Sequence, residues 1–450
     1  MNDETARGST EFIFNNWDST IICFPDNYFQ PRTEAEVVEI VKDAYKRGVV
    51  VRTFGAGHSW SPLVPTDDTL INLDNLDKAV AIDKGRMRAS VQAGIRIKNL
   101  IKLLRANGQG MRNLGSIKEQ SIAGAVSTAT HGTGRNIGNI STQIVGMNLV
   151  TGRGDVLTIS EERDHELMSA ARTSLGALGI ITQVTIQCVR DYNLLYKSEP
   201  QPFEEVLDHL DDYLSANERV RLYWLTLNRG DIQVMTMNPT TTAAADKKEL
   251  VDALTGDVIK KGVVQPVSAN TYDLHYWQGL GLKVGLDKKG QAEARVTWIE
   301  EEKVKPYDEA LTVPMPPHHQ ESEYAIPVGR AAEAVRALRR LIEEKGYIDT
   351  ILVEVRFVGQ DDIMLSPSHD GPVCYVGGYI FGELNASDFF ENYESLMKGF
   401  GGRPHWGKHL TLSPQEARHM YPGLDRFNEI RKELDPEGIF ANDFIRNLFG

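Results

Sequence analysis

A change of rhythm near residue 190 constrains this chain more than any other feature. Before it, helical patterns alternate with short β-branched runs. Residues 34–45 place Val37, Val38, Ile40, Val41 and Ala44 at helical spacing, and Gly48 stops the pattern. Residues 49–54 (VVVRTF) then read as a strand that ends in the turn Gly55-Ala56-Gly57. Further strands are expected over 69–73, 88–93, 143–150, 156–160 and 179–187, with a second helix over 97–107. Beyond residue 190 the strand-like runs look antiparallel, over 219–227, 232–237, 294–300, 351–358 and 373–381, with helices over 328–345 and 386–400. Such segregation predicts an α+β chain with a boundary close to residue 190. Residues 239–261 read as a polar insertion.

Composition narrows the function classes. A length of 450 residues suits two or three cores. The formal net charge of −13, without a basic stripe, argues against a nucleic-acid partner. No run approaches the roughly 18 apolar residues of a membrane span. The N-terminal residues have neither a basic start nor an apolar h-region, so a cytoplasmic, soluble protein is expected. Cys23, Cys188 and Cys374 are far apart and odd in number, which predicts reduced, buried thiols. No metal spacing occurs, and nothing in the sequence calls for an obligate protein partner. The pair His318-His319 lacks a third ligand and reads as loop, and Trp60, Trp224, Trp277 and Trp298 read as core.

Two segments carry candidate chemistry. In Thr53-Phe54-Gly55-Ala56-Gly57-His58-Ser59, a strand runs into a glycine turn whose N–H groups can cradle a pyrophosphate. It is not a dinucleotide fingerprint, because no third glycine opens a helix and Pro62 interrupts the register. Alone, it is equally an ordinary tight turn with a surface histidine. Residues 113–139 form a long segment of Gly, Ser and Thr, suited to close approach of backbone to a ligand, or simply to packing on a sheet.

Taken together, GAGHS at 55–59, NLGSIKEQSIAGAVSTATHGTG at 113–134 and SLGALGIIT at 174–182 resemble the vanillyl-alcohol-oxidase-type flavoproteins. EVRF at 354–357, LSP at 365–367, GGRPHWGK at 401–408 and FANDF at 440–444 resemble their aldonolactone oxidase branch, with alditol oxidase a close relative. The resemblance spans essentially the whole chain. It implies a PCMH-type FAD-binding domain of two α+β subdomains over 1–190. It also implies a substrate (cap) domain over 191–405, a large antiparallel sheet covered by helices, and a segment 406–450 that returns to the flavin.

The same resemblance implies FAD bonded through its 8α-methyl group to His58, with Thr53 to Ser59 around the pyrophosphate and ribityl chain. It carries further FAD contacts onto Gly115, Ser116, Ser121, Gly124, Thr128, Ala129, Thr130, His131, Ile181 and Asn442. Glu354, Arg356 and Lys408 become the catalytic and substrate-binding set, joined by Ser116, and His405 and Trp406 would shape the pocket around Lys408. Glu354 and Arg356 are two apart on an expected strand, so both emerge on one face, as a joint site or as a solvated ladder.

The implied reaction is hydride transfer from a secondary alcohol carbon of a sugar lactone to flavin N5. Reoxidation by O2 would give H2O2 and an ascorbate-type product. A polyol substrate or another electron acceptor is the alternative. Where the alditol branch carries a histidine and a threonine, this chain has Gly377 and Tyr379. Gly115, as a glycine, leaves room for oxygen near the ring.

Overall fold

The computed structural model describes residues 12–226, 230–244, 282–286, 292–298, 300–347, 351–381 and 386–450. Helix α1 (Glu34–Arg47) begins where Thr33 accepts the Glu36 N–H, and it ends at Gly48 with a left-handed φ of 66°. Its buried stripe, Val37, Ile40, Val41 and Ala44, shares a core with Val51 and Ile71. These two belong to a three-stranded parallel sheet, β1 (Asn27–Phe29), β2 (Val51–Phe54) and β3 (Thr69–Asn72), in the order β1-β3-β2.

A five-stranded antiparallel sheet follows in the order β7-β6-β8-β5-β4. It comprises β4 (Ala79–Asp83), β5 (Arg88–Gln92), β6 (Ile144–Val150), β7 (Val156–Ser160) and β8 (Ile180–Gln187). Helix α2 (Ile97–Ala106) buries Ile97, Leu100, Ile101 and Leu104, one stripe at helical spacing. The 113–139 segment is not loop throughout. It holds a short helix, α3 (Ile122–Ser127), whose N-cap Ser121 accepts the Gly124 N–H. Its small residues carry too weak a stripe to announce a helix. Helix α4 (His165–Arg172) was likewise not anticipated.

The second half forms an eight-stranded antiparallel sheet in the order β12-β9-β11-β10-β14-β15-β13-β16. Its strands are β9 (Asn193–Pro202), β10 (Arg219–Leu225), β11 (Asp231–Thr240), β12 (Glu301–Pro306), β13 (His319–Pro327), β14 (Ile351–Val358), β15 (Val373–Phe381) and β16 (Arg403–Pro404). Strands β9, β12 and β13 escaped the sequence reading because they carry prolines or alternate charged residues with apolar ones. The expected polar insertion lies outside the described residues from 245 onward. The strand expected over 294–300 spans Ala292–Trp298.

The two faces of this sheet differ, as alternation along a strand requires. One face buries Leu222, Val353, Val355 and Val376 under helices α5 (Ala331–Lys345) and α6 (Ala386–Gly399). The other face carries Arg221, Tyr223, Glu354, Arg356, Tyr375, Glu321 and Glu323, and it meets the first half of the chain. Helices α7 (Pro414–Met420), α8 (Leu424–Leu434) and α9 (Asp443–Phe449) return to the N-terminal core, where Tyr421, Phe427 and Ile445 are buried. The Val51 N–H donates to Ile439 O, tying that segment to β2. The three cysteines are buried free thiols. Among the described residues no helix is long and apolar enough to cross a membrane.

Candidate active site

Strand β2 delivers the glycine turn into a cleft of about 1000 Å³. Thr53, Phe54, Gly55, Ala56, Gly57, His58 and Ser59 line it, with Ser121, Gly124, Thr128 and Ile181 opposite. Two glycines here are structurally required. Gly57 has φ 68°, and a Cβ on Gly55 would stand 2.1 Å from Ser121 Oγ. Leu175, also on the wall, holds a left-handed φ of 55°, the kind of backbone strain that collects at ligand sites.

Arg52 braces the wall from behind. Its guanidinium is fully buried and donates to the carbonyls of Leu63, Leu175, Gly176 and Phe440. Burial pulls its pKa down to about 10. Asn442 does not reach the cleft. It caps α9 and donates to Pro62 O and Pro65 O, which fastens the loop that brings Leu63, Val64 and Pro65 to the wall. Gly115 and Ala129 also lie off the lining. A Cβ on Gly115 would meet Thr130 Cγ2 at 2.8 Å, so close packing demands that glycine.

A second cleft of about 740 Å³ shares His58, Ser59, Gln120 and Thr128 with the first. His58 therefore stands at their junction. Burial, then Lys408, Arg96 and His319, lower its pKa to about 4, leaving a neutral ring. Ser116, Thr130 and His131 line the second cleft from the first domain, and Arg356, Lys408 and His405 from the second half.

The charged face of the sheet forms its floor. Arg356 Nη2 lies 2.6 Å from Glu323 Oε1, and Nη1 donates to Ser116 Oγ at 3.0 Å and His131 O at 3.3 Å. Glu354 accepts from the Tyr223 hydroxyl at 2.8 Å and from the Tyr379 hydroxyl, with Arg221 Nε at 3.4 Å and Arg356 Nε at 3.5 Å. Glu354 and Arg356 are 1% and 4% exposed, so this is no solvated ladder. Gly377 separates Glu323 from Glu354 in the register, and Arg356 reaches across that position to Glu323.

Charge outweighs burial in these groups. Burial alone would raise both carboxyls, but Arg356 and then His131 hold Glu323 well below the usual carboxylate range. Arg356 and Arg221 likewise hold Glu354 down. Burial alone would lower the Arg356 guanidinium, yet Glu323 and Glu354 keep it charged.

Lys408 pairs with Glu321 and lies 4.6 Å over the Trp60 ring, so Trp60 is a cleft residue rather than core. His319 is not in a loop; it opens β13 and lines the cleft. Trp406 turns away, buried against Tyr421 with its Nε1–H on Leu365 O. His319, Glu321 and Glu323 are the residues that sequence reasoning missed. In HQESEYAIP, His319, Glu321 and Glu323 share one face and Tyr324 and Ile326 the other, but Gln320, Ser322 and Ala325 blur the alternation, so the local signal was weak. His131, Glu323 and His405 also bring their ligand atoms within 4.8 Å of one another, with Arg356 already on the same carboxylate.

Comparison with known proteins places this geometry. The pattern of D-arabinono-1,4-lactone oxidases matches residues 184–448, and that of an FAD binding domain matches residues 25–160. An L-gulonolactone oxidase of Scyliorhinus torazame is 31% identical over 98% of this chain and 99% of its own. An L-gulono-1,4-lactone dehydrogenase of Mycobacterium tuberculosis is 29% identical over 97% and 99%. A solved cholesterol oxidase variant from Brevibacterium sterolicum shares the fold, with a TM-score of 0.75 and 15% identity over 100% of this chain and 98% of its own. The cleft fits the cofactor that the match implies, since a glycine cradle, a braced wall and a neutral histidine converge on it. The chain belongs to the D-arabinono-1,4-lactone oxidase family, FAD-dependent oxidoreductases that act on CH–OH donors.

Proposed function

We propose that this protein oxidises a secondary alcohol carbon of an aldono-1,4-lactone of the L-gulono or L-galactono type. One observation carries the reading: His58 and the Ser116–Arg356–Lys408 floor line a single cleft. FAD, when bound, accepts the hydride at N5, and a covalent bond from His58 would hold it across the junction of the two clefts. Thr53 to Ser59, Ser121, Gly124, Thr128 and Ile181 would hold its diphosphate and ribityl portions. Arg356 and Lys408 orient and polarise the reacting hydroxyl as fixed cations, aligned before the reaction by Glu323 and Glu321. Glu354 acts from behind the lining, steadying Arg356. Ser116 offers its hydroxyl to the substrate from the Arg356 side.

A lactone fits better than a polyol. Tyr379, at a position where the resemblance to alditol oxidases would call for a small hydroxyl residue, spends its hydroxyl on Glu354. Anaerobic addition of L-gulono-, L-galactono- or D-arabinono-1,4-lactone should bleach the flavin. Bleaching by xylitol or sorbitol instead would replace the lactone with a polyol. We take O2 as the electron acceptor, so peroxide formed per lactone consumed should approach one. A yield near zero with rapid dye reduction would make the enzyme a dehydrogenase.

A further inference from the structure

We propose that His319 is the base that takes the proton from the reacting hydroxyl, an assignment that rests on the lactone oxidation proposed above. His319 opens β13 and is 5% exposed. Its Nδ1 lies 2.7 Å from Pro317 O. A carbonyl only accepts, so Nδ1 carries the ring proton and Nε2 keeps its lone pair. Among the described residues Nε2 has no hydrogen-bond partner, although the ring lines the cleft. The nearest carboxylate oxygen, Glu321 Oε2, is 3.6 Å away and already holds Lys408. At 3.6 Å it cannot draw the proton off a 2.7 Å bond. A buried acceptor without a donor is costly, and a substrate hydroxyl would supply that donor.

The carboxylates of the cleft are engaged by cations or hydroxyls. Glu321 holds Lys408 through Oε2 while its Oε1 has no hydrogen-bond partner among the described residues, Glu323 holds Arg356, and two tyrosines donate to Glu354. The Nδ1 of His405 accepts the Gly407 N–H, so its proton resides on Nε2 and the ring is a donor there. His131 has an acceptor at each ring nitrogen, Gly132 O 3.1 Å from Nδ1 and Glu323 Oε2 3.3 Å from Nε2. His58 is committed to the flavin. His319 is also held in place, its ring centroid 5.2 Å from Trp60, 5.1 Å from Tyr379 and 5.4 Å from Trp17.

In the balanced step the C–H electron pair leaves as hydride to the flavin, the oxidant. The O–H bond breaks, its proton forms an N–H bond at His319 Nε2, and the carbinol carbon becomes a carbonyl. The imidazolium then returns its proton to water. The titratable groups around the ring are Glu321 on its own strand, His318 beside it, Tyr379 on β15, His58 from the glycine turn, and Lys408 and His405 from the C-terminal segment.

Two measurements decide the assignment. In ¹⁵N-histidine NMR of the resting holoenzyme, the signals that vanish in His319→Gln should show Nδ1 protonated and Nε2 bare at neutral pH. In anaerobic flavin reduction by lactone, His319→Gln and His319→Ala should be slowed about 10²–10⁴-fold, with lactone Kd changed less than the rate. Added imidazole should partly restore His319→Ala. Thermal unfolding and flavin absorbance of both variants report whether the fold survives. A protonated Nε2 in the resting enzyme, or variants that keep the wild-type rate, would overturn the role of His319. A wild-type enzyme that no lactone reduces would instead remove the reaction itself.

Discussion

Replacing Glu323 by alanine removes a carboxylate that sits 2.6 Å from the Arg356 guanidinium and 3.3 Å from His131 Nε2, in a site where all three residues are buried. Deleting one partner of a buried pair strands the other charge, which costs about 3–5 kcal/mol. Here Glu354 Oε1 already stands 3.5 Å from Arg356 Nε and inherits part of the charge, so the low end, about 3 kcal/mol, is expected. For a domain of this size that lowers Tm by roughly 6–12 °C, at ~2–4 °C per kcal/mol. Arg356 should also swing towards Glu354 and away from the hydroxyl, lowering kcat/KM by about 10²–10³-fold, the loss of one aligned donor. Glu323→Gln keeps an acceptor for Nη2 and forfeits only the charge, so about 1–2 kcal/mol should be lost. Scanning calorimetry and stopped-flow flavin reduction on the three proteins read both effects. An alanine variant as stable as the glutamine variant, with unchanged kcat/KM, would refute the view that this carboxylate holds Arg356.

His58→Ala should leave flavin that separates from acid-precipitated protein, whereas the wild-type precipitate stays yellow; a yellow variant precipitate would refute the attachment. Gly55→Ala drives a methyl into Ser121 Oγ and should cost about 1–3 kcal/mol and weaken FAD retention, while adding Ser121→Gly should recover most of it. Because the folded pKa of Glu323 and of Glu354 is depressed, their stabilisation is complete above the unfolded value of about 4.3 and is lost as pH falls below it. Tm should therefore drop steeply in that acid range, and less steeply in Glu323→Gln. His58, lowered to about 4 in the fold, takes up its proton more readily when unfolded. Apoprotein stability should consequently fall from pH about 6.5 downward, a slope that His58→Ala lessens while His131 and His405, also lowered by burial, keep the remainder.

Much of the fold was legible because periodicity and cooperating caps announce it. Thr33 and Gly48 frame α1, and the uniformly apolar-flanked runs at Ile351–Val358 and Val373–Phe381 form strands over their whole expected length. The misses share a cause. His319–Pro327 hides its apolar half behind His319, Glu321 and Glu323, which a local reading assigns to solvent. Their burial depends on a facing domain more than a hundred residues away in sequence, and no window along the chain carries that information. The glycine turn and the serine-rich segment were legible as ligand-binding pieces, but Gly115 and Ala129 show the limit. Their side-chain positions face Thr130 or the core, and backbone sterics explain both as well as a cofactor would.

The charged floor is tolerable because it is balanced. Glu321, Glu323 and Glu354 face Lys408, Arg356 and Arg221, three carboxylates against three cations, each within contact of a partner. A sheet face of this kind cannot be stabilised by area burial, and hydrophobic side chains of equal volume would pack at least as stably. What the ions provide is alignment. Arg356 is held by carboxylates at both Nη2 and Nε, leaving Nη1 directed at Ser116. With no net charge left over, the cleft gains little from an anionic sugar acid and is suited to a neutral ligand that brings only hydroxyls and a carbonyl. The ring-closed lactone meets that description, and its hydrolysed carboxylate does not.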